Sequence, residues 1–154
     1  MPVAGSNEIV FGKFQKEIFA NMSQNSNLQD KAQAFETAHA ILVSNSEGLQ
    51  ELEFINFLLP YLRDSQTAPS ITLWTVRILN SMLKIPSIHK KVNILKLAQI
   101  SVHRLSDSSK FIREEAESTF KTFQTIIKPK VFIICMLECF EPAKTSSYSL
   151  ATKE

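Results

Sequence analysis

Glycine is scarce in this chain, with three in 154 residues, at Gly5, Gly12 and Gly48. An antiparallel sheet protein of this size needs more, because its tight hairpin turns demand positive φ, so the shortage sets most sheet folds aside. Cysteine is scarcer: Cys135 and Cys139 stand four apart, with neither a second pair nor a histidine close in sequence. A tetrahedral zinc site therefore has too few ligands, and the pair is expected to act as small buried hydrophobes of a reducing compartment, on one face of a helix. Long apolar runs are missing as well. The longest, 131–137, is far below the roughly 20 residues of a spanning helix. Nor does a basic stretch followed by an apolar run open the chain, so a secretory signal is not expected and a cytoplasmic or nuclear location is. Asn21-Met22-Ser23 matches a glycosylation sequon by chance in such a setting. Finally, the formal charge of +2 is small and its basic residues are spread along the chain, a poor footprint for nucleic acid or an anionic membrane.

What is present favours helix. A composition of 44% hydrophobic and 21% charged residues supports one ordinary core, and Leu, Ile, Lys, Glu, Gln and Ala are abundant. Apolar residues recur at three- and four-residue spacing in seven stretches. From Glu8, the positions Ile9, Phe11, Phe14, Ile18, Phe19 and Met22 predict a first helix, closed by polar residues 23–27. Leu28, Ala32, Phe35, Ala38, Ile41 and Leu42 predict a second. A third spans 48–63 through Leu52, Ile55, Leu58, Leu59 and Leu62, with Pro60 in its last turn. Pro69 opens a fourth that carries Ile71, Trp74, Ile78, Leu79, Met82 and Leu83 and stops at Pro86. Val92, Leu95, Ala98, Val102 and Leu105 mark the fifth. Phe111, Ile112, Ala116, Phe120, Phe123 and Ile127 mark the sixth, capped by Asp107 or a neighbouring serine. A short seventh, 130–140, is apolar nearly all round, and such a helix needs cover; if its outer face is left bare, self-association or partner docking is expected. Residues 1–7 and 142–154 read as flexible ends.

Catalytic constellations are not evident. His39, His89 and His103 are dispersed, with no adjoining nucleophile, and no glycine-rich phosphate loop precedes a Lys-Ser or Lys-Thr pair. His39 is expected beside a helix interface and His103 near a helix end. Glu114-Glu115 is explained as a carboxylate pair at the start of a helix. Neither a cofactor, a metal nor an enzymatic activity is expected.

A repeat is visible instead. Tyr61-Leu62-Arg63-Asp64-Ser65 recurs as Arg104-Leu105-Ser106-Asp107-Ser108, with the leucines 43 positions apart (105 − 62), inside the range of HEAT and armadillo repeats. The stretch from Phe57 to Ser65, followed by Val76-Arg77-Ile78-Leu79, resembles a HEAT repeat: a leucine- and proline-bearing helix ending near Asp, then a helix with a Val-Arg pair. Leu105 to Ser108, followed by Lys110-Phe111-Ile112-Arg113-Glu114-Glu115-Ala116, resembles it again. The resemblance implies an all-α, right-handed α-solenoid of about three and a half antiparallel helix pairs, in units 8–44, 48–84, 90–127 and a half unit 130–140, acting as a protein-binding scaffold. It extends to the tubulin-binding TOG domains, whose intra-repeat turns face tubulin. Leu28, where that family usually has Trp, and Lys31 would belong to this edge, as would Lys110 and Arg113 near Asp107. Their basic side chains would suit the acidic surface of tubulin or microtubules. In HEAT repeats the Val-Arg arginine also fixes the turn through the preceding Asp, a structural role that Arg77 and Arg113 would share. Lys110 is otherwise a solvated side chain, and Trp74 is expected in the core.

Overall fold

A computed structural model of the chain describes residues 8–23, 27–86 and 88–139, which are mostly helical. The expected flexible ends, Phe140 and Pro142 lie outside the described residues. The predicted first helix is shorter than its apolar pattern suggested. Residues Ile9–Val10 (β1) and Phe14–Gln15 (β2) pair as a small antiparallel hairpin, and helix α1 begins only at Lys16 and runs to Ser23. The reason lies at the turn. Phe11 and Gly12 both take positive φ, 57° and 73°, which bends the chain back while the Lys13 amide donates to the Val10 carbonyl. That bend lets the Phe11 ring sit 5.3–5.7 Å from the rings of Phe19, Phe54 and Phe57. Ile9, counted on the predicted stripe, is mostly exposed instead.

Two of the three glycines meet here. A side chain on Gly12 would collide with the carbonyl oxygen of Gly48, which itself has φ of 85°. The Phe11 carbonyl accepts from the Gln50 amide at 2.8 Å, and Lys13 Nζ donates to the Glu47 carbonyl at 2.9 Å, so the hairpin is tied to the loop after the second helix.

The remaining helices are α2 (Leu28–Ser44), α3 (Glu51–Arg63), α4 (Pro69–Leu83), α5 (Ile94–Ser101), α6 (Lys110–Ile126) and α7 (Pro129–Glu138). Their starts carry the expected chemistry. Asn27, Asn93 and Ser109 side chains accept the amides of Asp30, Lys96 and Ile112, and proline opens α4 and α7. The cap of α6 is thus Ser109. Helix α3 passes through Pro60 to Arg63. The predicted fifth helix divides: α-helix ends at Ser101 and a 3-10 turn, Val102–Ser106, finishes it. Of its expected stripe, Val92 and Ala98 are fully buried and Val102 and Leu105 pack partly buried against the core, while Leu95 is exposed. Ile94, Leu97 and Ile100 are buried besides, so this segment hides more of its circumference than a single stripe. Phe111 is likewise exposed beside buried Ile112.

Packing arranges the helices in two rows. Helices α2, α4 and α6 lie side by side, α3 contacts α5 and α5 contacts α7, and each of α1, α3 and α5 packs on the helix that follows it. Starts at Leu28, Pro69 and Lys110 place successive helices of the first row 41 residues apart (69 − 28 and 110 − 69). At this spacing Ala34, Thr75 and Ala116 are equivalent, and all three are small and buried, so neighbouring backbones approach closely. The core between the rows is one cluster that includes Phe14, Phe35, Phe54, Leu97 and Phe123.

Replacing Gly12 with alanine should destabilise the protein by about 2 kcal/mol or more, since it adds positive-φ strain to a backbone collision. The urea-unfolding midpoint measures this; an unchanged midpoint would show that the hairpin does not depend on Gly12.

Candidate functional site

Side chains tie the end of α3 to the end of α1, and the turn into α6 to the end of α3. Tyr61, near the end of α3, donates its hydroxyl to the Met22 carbonyl at the end of α1, 3.3 Å away. Lys31 Nζ lies 4.9 Å from the centre of the same tyrosine ring, a cation–π contact. One step along, Arg104 Nε donates to the Leu62 carbonyl at 2.7 Å, and its Nη2 to the Asp64 carbonyl at 3.3 Å. Its Nη1 forms a 2.8 Å ion pair with Asp107 Oδ2, both side chains being only 11% exposed. Asp107 Oδ1 accepts from the Ser109 amide at 2.9 Å, shaping the turn into α6.

Tyr61 and Arg104 occupy the same place in the two similar pentapeptides, and each reaches back to a carbonyl near the end of an earlier helix, α1 for Tyr61 and α3 for Arg104. Chemically unlike residues do one job. Arg104 is therefore the residue that sequence reasoning passed over; the signal available for it was its alignment with Tyr61.

The four residues expected at a partner-binding edge fall into two groups. Leu28 is exposed at the start of α2, with Lys31 partly covered by Tyr61 one turn on. Lys110 is exposed at the start of α6. Arg113 is turned back, its Nη1 donating to the carbonyls of Asp107 at 2.7 Å and Ser108 at 3.2 Å. It does fix the turn, though through backbone carbonyls; the Asp107 carboxylate is taken by Arg104. Arg77 departs from expectation altogether. It reaches across to α6, its Nε 3.3 Å from Glu115 Oε1, and its guanidinium lies 4.7 Å from the centre of the Trp74 ring. The helix starts explain this, because the 41-residue spacing makes Arg113 equivalent to Lys31 and Thr72. Glu115, for its part, sits beyond the first turn of α6 and serves as the Arg77 partner.

This pair belongs to a second feature, a polar seam across α2, α4 and α6. His39 Nε2 is 3.2 Å from Ser81 Oγ, and its ring is 5.5 Å from that of Trp74. Asn80 donates to Ser118 Oγ at 3.2 Å and accepts from Thr122 Oγ1 at 2.6 Å. Trp74, expected in the core, packs against it and is half-buried, with His39 and Arg77 flanking its ring. His39 stands at a helix interface as expected. Burial holds its imidazole below the usual value, helped by the Arg77 charge and opposed by Glu115 and Glu36.

Elsewhere, Lys91 pairs at 3.1 Å with the buried Glu51 beside an open groove of about 810 Å³ lined by the loop into α3 and by Ile85 and Pro86. Cys135 is buried, and the loss of solvation pushes its thiol up to about 11; Cys139 is raised in the same way. Among the described residues no group of three or more His, Cys, Asp or Glu could hold a metal ion, and no helix is long and apolar enough to cross a membrane. Compared with known proteins, the chain matches no family model, no curated protein and no solved structure.

Removing the Arg104 side chain leaves Asp107 without its cation and two carbonyls without their donor, so Arg104→Ala should cost about 2–4 kcal/mol in denaturant unfolding. A cost below about 0.5 kcal/mol would mean that the edge holds without it. The His39 effect has a definite sign. Because the folded state disfavours the protonated ring, the unfolded chain binds the proton first, so stability present above about pH 6.5 declines as the pH falls through that value. His39→Gln should flatten the fall in stability between about pH 7 and pH 5.5. Identical pH profiles for the variant and the parent would assign the titration to another group.

Proposed function

We propose that this chain is a non-enzymatic helical-repeat scaffold, a HEAT-like right-handed solenoid of about three and a half units, which binds another protein through its edge of intra-repeat turns. The observation that carries this reading is the equivalence of Tyr61 and Arg104, two side chains in the same repeat position that lock successive turns into one edge. A rigid edge exposes its flanking residues in a fixed array, and a scaffold needs that more than it needs a cleft. Exposed Lys110 and Leu28 belong to this array. The partner of the fitting chemistry is an acidic protein surface, and the resemblance to TOG domains makes tubulin or microtubules the candidate, in the cytoplasm, at the cytoskeleton or in a cilium.

A second reading is favoured by the engagement of Arg113 with turn carbonyls and of Lys31 with Tyr61, which leaves fewer cations for an acidic partner. In that reading the chain is an adaptor for an unrelated protein, and the seam with Trp74 and Arg77 at its centre is the contact surface, since tryptophan and arginine are enriched at binding hot spots.

Co-sedimentation with stabilised microtubules, paired with size-exclusion binding to free tubulin at low and physiological salt, separates the two. The variant to use is Lys110→Glu, because Lys110 is exposed whereas reversing Arg113 would also break its turn. Salt-sensitive binding that falls about tenfold in Lys110→Glu supports the tubulin reading. No binding at low salt rejects it. Binding unaffected by Lys110→Glu moves the contact away from this edge.

A further inference from the structure

Basic residues are spread along the sequence, but acidic ones are not. No Asp or Glu stands between Asp64 and Asp107, nor between Glu117 and Glu138. The fold brings these two stretches together. Arg77 meets Glu115, and Asn80 meets both Ser118 and Thr122, so α4 and α6 run side by side in one direction and finish at the same end of the molecule. The connection after α4 stays there. The Ile88 amide donates to the Ile85 carbonyl and the Lys91 amide to the Ile88 carbonyl, and Lys91 lines the open groove together with Ile85 and Pro86. Helix α7 starts at this end too, since only Ile127 and Lys128 separate it from α6.

Four lysines therefore gather at one end. Lys84 closes α4, Lys90 lies in the connection, and Lys128 and Lys130 flank the Pro129 that opens α7; all four are exposed, as is His89 beside Lys90. None of the four lysines has an acidic partner among the described residues. The acidic side chains nearest in the fold, Glu47, Glu51 and Glu53, surround the start of α3, and Glu51 is taken by Lys91. Like charges held on folded backbone without counter-charge create a local positive potential that an anionic surface relieves.

Helix α7 adds a second property to the same corner. Cys135 faces α5, and Val131 and Ile134 line a small cleft there with it. Ile133 and Leu137 lie outside that cleft and are 58% and 61% exposed. Lys130, Ile133 and Leu137 follow one another at three- and four-residue spacing, so a bare aliphatic stripe runs on directly from the lysine end.

The combination selects the partner. The phosphate backbone of a nucleic acid offers aliphatic side chains no apolar contact, and an acidic protein would have to present carboxylates and an apolar recess in one fixed arrangement. A bilayer with anionic headgroups accepts lysines at its surface and aliphatic side chains just beneath, without a preformed fit.

We propose that the corner where the lysine end meets the bare side of α7 is a docking surface for an anionic lipid bilayer, with Lys84, Lys90, Lys128 and Lys130 against the headgroups and Ile133 at the acyl boundary. The chain lies on the membrane through this corner, and the contact is reversible and weakened by salt.

Flotation of the full chain with phosphatidylcholine vesicles, with and without phosphatidylserine, tests this, and circular dichroism verifies that each variant is folded. At low salt the chain should float with the phosphatidylserine vesicles and stay behind with phosphatidylcholine alone. Lys84→Glu and Lys128→Glu should each weaken the binding about fivefold or more, because reversal removes an attraction and adds a repulsion. Lys16→Glu, the same change of net charge placed on α1, should leave it unchanged. Ile133→Ser should weaken it severalfold. Equal flotation with both vesicles or with neither overturns the proposal, as does a loss in Lys16→Glu as large as in Lys128→Glu. Binding unchanged by Ile133→Ser overturns it too, since lysines alone do not distinguish a bilayer from another polyanion. Retention on immobilised polyglutamate without binding to phosphatidylserine vesicles assigns the lysines to an acidic protein and overturns it equally.

Discussion

Helix α4 sets the constraint that organises this protein, because it hides eight of its fifteen residues, Ile71, Thr72, Thr75, Val76, Ile78, Leu79, Met82 and Leu83, and cannot do so alone. No single neighbour covers that much of a helix. Helix α2 flanks it on one side, α6 on the other, and α3 packs beneath it. The close approach rests on the small residues Ala34, Thr75 and Ala116, and Thr75 satisfies its own hydroxyl by donating to the Ile71 carbonyl at 2.8 Å. A larger side chain at any of the three would push the row apart. Since these helices depend on one another for burial, they share one core and are expected to unfold together.

That shared core leaves the polar chemistry at its margins, where it takes two forms. Along the turn edge, Arg104 and Asp107 are nearly buried, yet each polar group has a partner, so the charges add geometric definition without an unpaired cost. Across the seam of α2, α4 and α6, the partners are neutral amides and hydroxyls around the single Arg77–Glu115 pair. The two differ in what they leave available. The edge spends its guanidinium groups inwardly and exposes Lys110 and Leu28; the seam leaves Trp74 and Arg77 half-buried, accessible from one side.

Most helices were legible in the sequence because an amphipathic stripe and a start signal agree. Asn27, Asn93, Ser109, Pro69 and Pro129 stand where helices begin, and Phe35, Ile78 and Phe123 lie on stripes that are buried. The first helix was over-read. Residues 9, 11 and 14 suit a helical stripe in spacing alone, and the contrary sign was Gly12, whose positive φ only a turn requires. Trp74 packs against the core from the rim of its stripe, and the Arg77 guanidinium and His39 ring flank it there, contacts that its spacing alone did not reveal. Of the residues expected at a binding edge, Lys110 is exposed, as is Leu28, which the apolar stripe of the second helix had also claimed; the roles of Arg77, Arg113 and Arg104 were not legible, since they depend on which carbonyl or carboxylate comes within reach.

Sequence by itself determined the helical character of the chain, the prolines that open α4 and α7 and the recurrence of the Leu-x-Asp-Ser segment, because each rests on residues a few positions apart. Tertiary structure decided the rest. The hairpin formed where Gly12 meets Gly48, α5 buries residues beyond its expected stripe because α3, α6 and α7 all contact it, and Arg104 became a tie between segments because Leu62 and Asp64 were brought beside it. Contacts between residues some 40 positions apart depend on how whole helices stack, and no local pattern carries that information.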